Sequence, residues 1–295
     1  MEKTHDILCI GSVLWDVIGR TPHSMRVGSD EPGRITRLPG GVAMNIAMTL
    51  RRFDLTPALL TAVGDDHDGI DLLARCGRMG MVTEHVHVTD RPTDVYMAIE
   101  GPEGLIAAVA DAHSLEAAGD AILEPLENGM LGSAQVPYRG MIALDGNLTV
   151  DLLSDIAQRP SFAAADLRVA PASPGKARRL RPLMSHPGAT LYVNREEAGY
   201  LTGTTPDSAE AGAAALLEAG ATRVLVTDGG ANGADGHAGR VITAPCPKVD
   251  VARITGAGDT FMAAHITAEI RGKTAEQALA FALETAARYV AGEDA

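Results

Sequence analysis

The chain has 295 residues, of which 46% are hydrophobic, and it carries a formal net charge of −13 at pH 7. This length suits one large α/β domain with a substantial core, and the negative charge argues against a nucleic-acid or anionic-membrane partner. Aromatic residues make up only 3% of the chain, which argues against a surface that stacks single-stranded nucleic acid.

The three cysteines, Cys9, Cys76 and Cys246, are widely spaced and form no Cys-x-x-Cys pair. An odd number of separated cysteines is typical of reduced, intracellular thiols. The sequence shows no secretory signal and no apolar run long enough to span a bilayer. We therefore expect a cytoplasmic protein that does not use a membrane.

The first half of the chain opens with an apolar run, Ile7 to Gly11, which predicts a buried strand. The segment from about 12 to 38 is rich in Gly, Pro and charge, and residues 34–38 alternate like a half-exposed strand. The other elements predicted here are helices over 41–53 and 69–79, and strands over 58–63, 94–100 and 105–110, the last two forming a hairpin.

The second half of the chain alternates regularly between strands and helices. Strands are predicted over 141–144, 166–170, 190–193, 223–227 and 241–244, and helices over 149–158, 174–183, 195–201 and 207–218. Two helices finish the chain, and Thr274 with Gln277 forms a capping box at the start of the last one.

This alternation predicts an α/β fold with a doubly wound, mostly parallel sheet and helices on both of its faces. The β-rich segments at about 12–38 and 92–111 do not fit the alternation, and we expect them to form a small separate sheet. Ligands in such folds bind beyond the carboxyl ends of the strands, where several of the polar motifs lie.

Near the C-terminus, Gly256, Ala257 and Gly258 precede Asp259, and an apolar helical pattern follows. Small residues between a strand and a helix leave the first backbone N–H groups of the helix free to hold an anion. An aspartate beside such a nest can accept a proton from a hydroxyl group, as phosphoryl transfer to an alcohol requires. The alternative is a glycine-rich turn in which Asp259 only caps the helix.

Three further polar motifs occur in a fixed order along the chain. They are Asp16 after the first strand, Gly40-Gly41 before a helix that carries Asn45, and Asn194-Arg195-Glu196-Glu197 at the start of a later helix. Together with the glycine turn before Asp259, these motifs resemble the ribokinase-like (PfkB) carbohydrate kinases. The resemblance runs from Ile7 to about Val290.

The resemblance implies a single kinase domain over residues 1–295 with a ribokinase-like fold, in which the segments 12–38 and 92–111 form a β lid over the acceptor site. It implies ATP and Mg²⁺ as cofactors and a small-molecule nucleoside or sugar as substrate. A homodimer formed through the lid is also consistent with it.

The resemblance also implies a role for each matching residue. Asp259 would be the base, beside an anion nest formed by Gly256, Ala257 and Gly258. The acceptor would be held by Asp16, Gly40, Gly41, Asn45, Asp145 and Asn147. The nucleotide would lie along Asn194, Thr227, Gly229, Gly230, Thr255 and Gly258, while Glu197 and Asn194 would act on Mg²⁺ through water.

Within the family, the N-terminal motifs and Asp145-Gly146-Asn147 are most similar to pseudouridine kinases. That subfamily phosphorylates the ribose 5′-hydroxyl of a C-nucleoside. Other nucleosides (adenosine, inosine) and free sugars (ribose, fructose, a keto-deoxy sugar acid) stay open as acceptors. So does a nucleoside- or sugar-binding protein that has lost catalysis, although the retained acids and glycine turn argue against it.

Two positions depart from the family pattern. Arg253 stands where relatives carry an acidic residue or asparagine that helps form a monovalent-cation loop. An arginine cannot ligate a cation, so the resemblance does not support such a site. Either the guanidinium substitutes for the ion, or Arg253 points to solvent and has no such role. The segment 281–285 lacks the asparagine that relatives place against adenine, so we expect apolar or backbone contacts with the base there.

Overall fold

Strands and helices alternate along most of the chain in the computed structural model, which describes residues 5–293. The main sheet contains β1 (Ile7–Ile10), β4 (Pro57–Leu60), β9 (Met141–Asp145), β10 (Asp166–Ala170), β11 (Ala189–Asn194), β12 (Arg223–Thr227), β13 (Gly233–His237) and β14 (Arg240–Ala244). Their order is β14-β13-β12-β11-β10-β9-β1-β4. The strands from β12 through β4 are parallel to one another, and β13 and β14 add an antiparallel edge next to β12.

The parallel strands are buried on both faces, because each face is covered by helices. Along β1, Leu8 and Ile10 enter one core while Ile7 and Cys9 enter the other. The first core is closed by α3 (His113–Ala118), α4 (Val150–Ile156), α5 (Arg195–Thr202) and α6 (Ala209–Glu218). The second core is closed by α1 (Val42–Arg52), α2 (His67–Arg78), α7 (Ala257–Ile270) and α8 (Ala275–Val290). The predicted doubly wound architecture is therefore confirmed.

The two β-rich segments form one separate sheet, as predicted. Its strands are β2 (Leu14–Arg20), β3 (Arg34–Gly40), β7 (Val95–Gly101) and β8 (Gly104–Asp111), in the order β3-β2-β7-β8. A further pair, β5 (Ala62–Gly64) and β6 (His87–Thr89), lies apart from both sheets. Large apolar side chains, among them Ile35, Met97 and Val109, are exposed on the small sheet. The homodimer through this sheet stays a prediction.

Three local predictions differ from the structure. The segment Pro174–Leu183 is a 3₁₀ helix, because Pro182 lacks the N–H that an α-helix needs there, and its buried residues recur every third position. The strand predicted over 58–63 is divided into β4 and β5. The strand β13 was not predicted, because Gly-Ala-Asp-Gly-His has no β-forming side chains, yet it is buried within the sheet. Shorter 3₁₀ helices cover Gly119–Leu126 and Pro160–Phe162.

No helix within residues 5–293 is long and apolar enough to cross a membrane.

The C-terminal end of α7 is fixed by a buried ionic cluster. Glu269 forms ion pairs with Arg168 and with Arg223, the latter at 2.6 Å, and Arg168 is only 6% exposed. Burial alone would raise the pKa of Glu269, but the charge of Arg168, followed by those of His265 and Arg223, holds it at about 2. The cluster thereby anchors the same helix whose first turn carries Asp259.

We expect Glu269→Gln to lower the free energy of unfolding by about 3 kcal/mol, because it leaves two buried guanidinium groups without their shared carboxylate. The stabilisation by Glu269 is present above its ordinary pKa and is lost as the pH falls towards 2. Urea unfolding at pH 7 measures the effect. Glu276→Gln, which removes an exposed pair with Arg240, is the control; equal unfolding midpoints for both variants would contradict this role.

Candidate active site

The polar residues that were predicted to act together follow the carboxyl ends of neighbouring strands. Asp145 ends β9, Asn194 ends β11 and Thr227 ends β12, and Asn194 lies directly opposite Thr227 in the register of the sheet. Parallel strands all end at the same edge of a sheet, so these side chains share the edge at which α/β folds bind ligands.

Asp259 lies in the first turn of α7 and contacts α1. Its Oδ2 accepts a hydrogen bond from Nδ2 of Asn45 at 2.9 Å. Burial raises the pKa of Asp259 to about 7; the hydrogen bond from Asn45 opposes that effect, and the charges of Asp145 and Glu197 add to it. A carboxylate with a pKa near neutrality is suited to accept a proton from a hydroxyl group.

The turn before α7 leaves a different set of free N–H groups from the one that the sequence predicts. Gly256 is the N-cap of α7 and has a left-handed backbone, with φ 87°, which favours glycine. The N–H of Ala257 donates to the carbonyl of Ile254 at 3.0 Å, so the expectation that this group is free to bind an anion was wrong. Among residues 5–293, the N–H groups of Gly256, Gly258 and Asp259 have no acceptor, and these three groups form the candidate anion nest.

Asp16 lies where β2 passes the start of α1. A Cβ atom added to Gly40 would lie 2.0 Å from Oδ2 of Asp16, and one added to Gly41 would lie 2.4 Å from the carbonyl oxygen of Ser12. The two glycines therefore let the backbone approach the carboxylate and the end of β1 closely. Burial raises the pKa of Asp16 to about 6, so the group remains mainly ionised above neutral pH and can accept hydrogen bonds from hydroxyl groups.

Asp145 is fully buried at the end of β9. Its Oδ2 accepts hydrogen bonds from the N–H of Ser12 at 2.8 Å and from the Ser12 hydroxyl at 2.5 Å. Asn147 donates its N–H to Oδ1 at 2.7 Å and its side-chain amide to Oδ2 at 3.2 Å. These bonds occupy the carboxylate, so the structure places Asp145 beneath the site, where it orients Ser12 and Asn147. Its predicted direct contact with the acceptor is not supported by this geometry.

Two side chains near Asn147 were missed in the sequence. The Ser12 hydroxyl accepts hydrogen bonds from the N–H of Val42 and from the Asn147 amide, both at 2.9 Å, and so joins β1, β9 and the start of α1. Nζ of Lys176 donates to Oδ1 of Asn147 at 2.6 Å. In the sequence, Lys176 lies next to a basic run at Arg178 that is typical of a solvated helix face. No sequence feature therefore marks Lys176 as a site residue.

Asn194 and Glu197 form a capping box at the start of α5. Oε2 of Glu197 accepts the N–H of Asn194 at 2.7 Å, and Oδ1 of Asn194 accepts the N–H of Glu197 at 2.9 Å. Burial raises the pKa of Glu197 to about 7, against the effect of the Asn194 N–H. Residues 5–293 contain no cluster of three His, Cys, Asp or Glu side chains that could hold a metal. This donor set fits Mg²⁺ held mainly by water and phosphate oxygens.

The predicted nucleotide edge is open at the end of β12. Within residues 5–293, and apart from the adjoining residues, no atom lies within 4 Å of a Cβ added to Gly229 or Gly230, so a ligand can approach this backbone closely. The preceding Asp228 pairs with Arg195 at 2.7 Å, which ties the edge to α5. In the segment 281–285, Phe281 packs against Phe53 with 5.6 Å between ring centroids; its contact with adenine stays a prediction.

A monovalent cation does not fit beside Arg253. Its Nε donates to the carbonyl of Tyr289 at 2.8 Å, and its guanidinium carbon lies 3.9 Å from the centroid of the Tyr289 ring. A carbonyl that already accepts from a guanidinium group is a poor ligand for a cation, and the fixed positive charge would repel one. That this chain lacks the monovalent-cation loop stays a prediction, and these contacts of Arg253 give its physical reason.

A family model described as pfkB family carbohydrate kinase matches residues 4–294. The pseudouridine kinase of Escherichia coli (strain K12) is 28% identical over 290 residues, which covers 96% of this chain and 89% of its own length. The guanosine-inosine kinase of Exiguobacterium acetylicum is 27% identical over 303 residues, with coverage of 98% and 95%. A solved carbohydrate kinase from Agrobacterium tumefaciens, 24% identical, superposes with a TM-score of 0.79 over 95% of this chain and 89% of its own. The ribokinase-like fold prediction is confirmed.

We expect Asp259→Asn to stabilise the protein at alkaline pH. The pKa of Asp259 lies above its ordinary value of 3.8, so ionising the folded chain costs free energy once the pH exceeds that value, and the cost is complete above about pH 7. Asparagine removes it, so the melting temperature should rise at pH 8, by the equivalent of at most about 4 kcal/mol. The difference should shrink towards zero as the pH falls below 4.

Thermal unfolding of both proteins at several pH values measures this difference. Asp30→Asn, at an exposed aspartate, is the matched control and should show no such pH dependence. If Asp259→Asn were less stable than the unchanged protein at pH 8, ionisation of Asp259 would not reduce the stability of the folded chain.

Proposed function

Because the chain belongs to the pfkB family of carbohydrate kinases, and is therefore a sugar or nucleoside kinase, we propose that it transfers the γ-phosphoryl group of ATP to the 5′-hydroxyl of a ribosyl nucleoside. Pseudouridine is the acceptor that we favour, giving pseudouridine 5′-phosphate. The observation that carries the reaction is the contact between Asn45 and Asp259, which holds a carboxylate of near-neutral pKa beside three free N–H groups.

In the proposed reaction, Asp259 takes the proton from the acceptor hydroxyl as its oxygen forms a bond to the γ-phosphorus. The bond between that phosphorus and the β,γ-bridging oxygen breaks, and ADP leaves with the electron pair. The N–H groups of Gly256, Gly258 and Asp259 stabilise the negative charge on the transferred group. Asn45 orients Asp259 so that a lone pair of its carboxylate faces the acceptor hydroxyl group.

Charge at this edge explains why a magnesium ion is expected. Asp16, Asp145, Glu197 and Asp259 are all acidic, and the chain as a whole is strongly negative, so a bare triphosphate would be repelled. Glu197 and Asn194 would hold Mg²⁺ through water. When bound there, Mg²⁺ supplies positive charge to the phosphate oxygens.

A nucleoside acceptor is supported by an aromatic side chain next to Asp16. Tyr96 pairs with Asp16 across β2 and β7 and lies on the same face of the small sheet. Burial, then the charges of Asp16 and Glu100, raise the pKa of Tyr96. A base can stack on such a ring while Asp16 accepts from the ribose hydroxyls. Both named relatives are kinases of nucleosides.

Free ribose or another sugar is the second candidate acceptor, since the same carboxylate suits any vicinal diol. A cytoplasmic location is part of the proposal, because Cys9, Cys76 and Cys246 are all free thiols in the structure.

Among pseudouridine, uridine, adenosine, inosine, ribose and fructose, we expect pseudouridine to give the highest kcat/KM with ATP and Mg²⁺. The physical reason is that the acceptor site combines a diol-binding carboxylate with an aromatic ring. A coupled assay of ADP release, followed by NMR identification of the phosphorylated position, measures it. Faster turnover of a free sugar than of every nucleoside would overturn the nucleoside assignment, and no ADP release with any acceptor would overturn kinase activity on them.

Asp259→Asn and Asp16→Ala should have opposite kinetic signatures. Asparagine cannot take the proton, so kcat should fall by about 10² to 10⁴ with nucleotide affinity retained. Asp16→Ala removes contacts with the other hydroxyl groups of the acceptor, so the acceptor KM should rise.

For the unchanged protein, kcat/KM should increase with pH and reach half of its plateau near pH 7, since only ionised Asp259 is a base. Near-normal kcat in folded Asp259→Asn would remove this residue from the mechanism.

A further inference from the structure

The loop before α7 lies along the C-terminal end of α8. The N–H groups of Ala252 and Arg253 both donate to the carbonyl of Val290, at 2.9 and 3.1 Å. Further along the loop, the hydroxyl of Tyr289 donates to the carbonyl of Thr255 at 2.8 Å. One turn of α8 therefore holds both ends of the segment that leads into the glycine turn.

Tyr289 also limits the position of the glycine turn itself. A Cβ atom added to Gly256 would lie 2.6 Å from the Tyr289 hydroxyl oxygen, so the ring passes directly beside the left-handed N-cap of α7. The carbonyl of Thr255 and the N–H of Gly256 belong to the same peptide group. The hydrogen bond from Tyr289 to that carbonyl therefore sets the direction in which the first N–H of the nest points.

Arg253 fixes Tyr289 in turn. Its guanidinium group lies over the Tyr289 ring and donates to the Tyr289 carbonyl, which restrains both the ring and the end of the helix. The remaining Nη2 of Arg253 is buried and has no hydrogen-bond partner within residues 5–293. A permanent positive charge is thus held over the ring whose hydroxyl bonds the peptide group that opens the anion nest.

We propose that Tyr289 and Arg253 form a clamp that positions the glycine turn for phosphoryl transfer, with the Arg253 charge acting in place of a monovalent cation. The inference rests on the proposed function, since that function assigns the transferred phosphoryl group to this turn. Both are positioning residues: they act on the substrate through the peptide group between Thr255 and Gly256.

Tyr289→Phe tests the hydroxyl alone, because it keeps the ring beneath Arg253. We expect kcat to fall by about 3- to 10-fold, the effect of one lost neutral hydrogen bond, while the acceptor KM stays unchanged. Tyr200→Phe is the matched control, since it removes an exposed hydroxyl that bonds Glu196 and should leave kcat unchanged. A kcat of Tyr289→Phe equal to that of the unchanged protein would overturn the clamp.

The charge of Arg253 is tested by exchanging Na⁺ for K⁺ at constant ionic strength. The unchanged protein should show no response, whereas Arg253→Asp should lose activity in Na⁺ and regain part of it in K⁺. Arg271→Met is the control, because Arg271 makes the same kind of contacts, with the ring and carbonyl of Phe53, at the opposite end of α7. Strong K⁺ activation of the unchanged protein would overturn the proposal that the Arg253 charge acts in place of a monovalent cation. Arg253→Lys, which keeps the charge, covers the case in which the aspartate variant does not fold.

Hydrogen exchange of the amides at 252–261 separates failure of the clamp from failure of the proposed function. Tyr289→Phe should speed exchange at Ala257, whose N–H is bonded within the turn, whether or not any acceptor is phosphorylated. Unchanged exchange throughout this segment would contradict the clamp even in an active kinase. Faster exchange in a protein that phosphorylates none of the acceptors would support the clamp and remove the proposed function.

Discussion

The hydrogen bond between Asn45 and Asp259 is the contact on which the candidate site depends. It joins α1, near the beginning of the chain, to the first turn of α7, near its end, and the two partners are 214 positions apart in the sequence. It orients a carboxylate whose burial favours protonation, and it partly opposes that effect. The amide N–H of Asn45 donates to Asp259 and therefore favours the ionised carboxylate, which is the form that the proposed base requires.

Acidic side chains at one edge of the sheet reduce stability when they are ionised. One of them, Asp259, begins α7, and an ion-pair cluster stabilises the other end of that helix. Asp16, Glu197 and Asp259 all have raised pKa values because burial disfavours their ionised forms. At the far end of α7 the pKa shift has the opposite sign, because neighbouring charges that include two arginines keep Glu269 ionised. A helix that is anchored at its C-terminus can present a strained, electrostatically unfavourable N-terminus to a ligand.

The anion nest also depends on parts of the chain that carry no chemistry of their own. Gly256 supplies the left-handed N-cap, but the direction of its N–H follows from the peptide group that Tyr289 holds. Asp145 has a similar supporting role at the other side of the site, where it bonds Ser12 and Asn147 rather than facing the ligand. In both places a buried or partly buried polar group fixes the position of backbone and side chains at the candidate site.

The sequence by itself determined the features that depend on neighbouring residues. The strand and helix alternation follows from local hydrophobic period, and the capping box at Thr274 follows from residues three apart. The glycine turns before Asn45 and Asp259 were identified for the same reason, since the turn chemistry is contained in a few adjacent residues.

Only the tertiary structure decided which polar groups face the ligand and which face each other. Asp145 turns inward because Ser12, 133 residues away, supplies its hydrogen bonds, and no local pattern encodes that partner. The contacts of Lys176 with Asn147 and of Tyr289 with Thr255 likewise join separate elements. The strand β13 forms from Gly and Ala because two β-forming strands enclose it. Such pairings depend on packing between distant segments, which overrides local propensity.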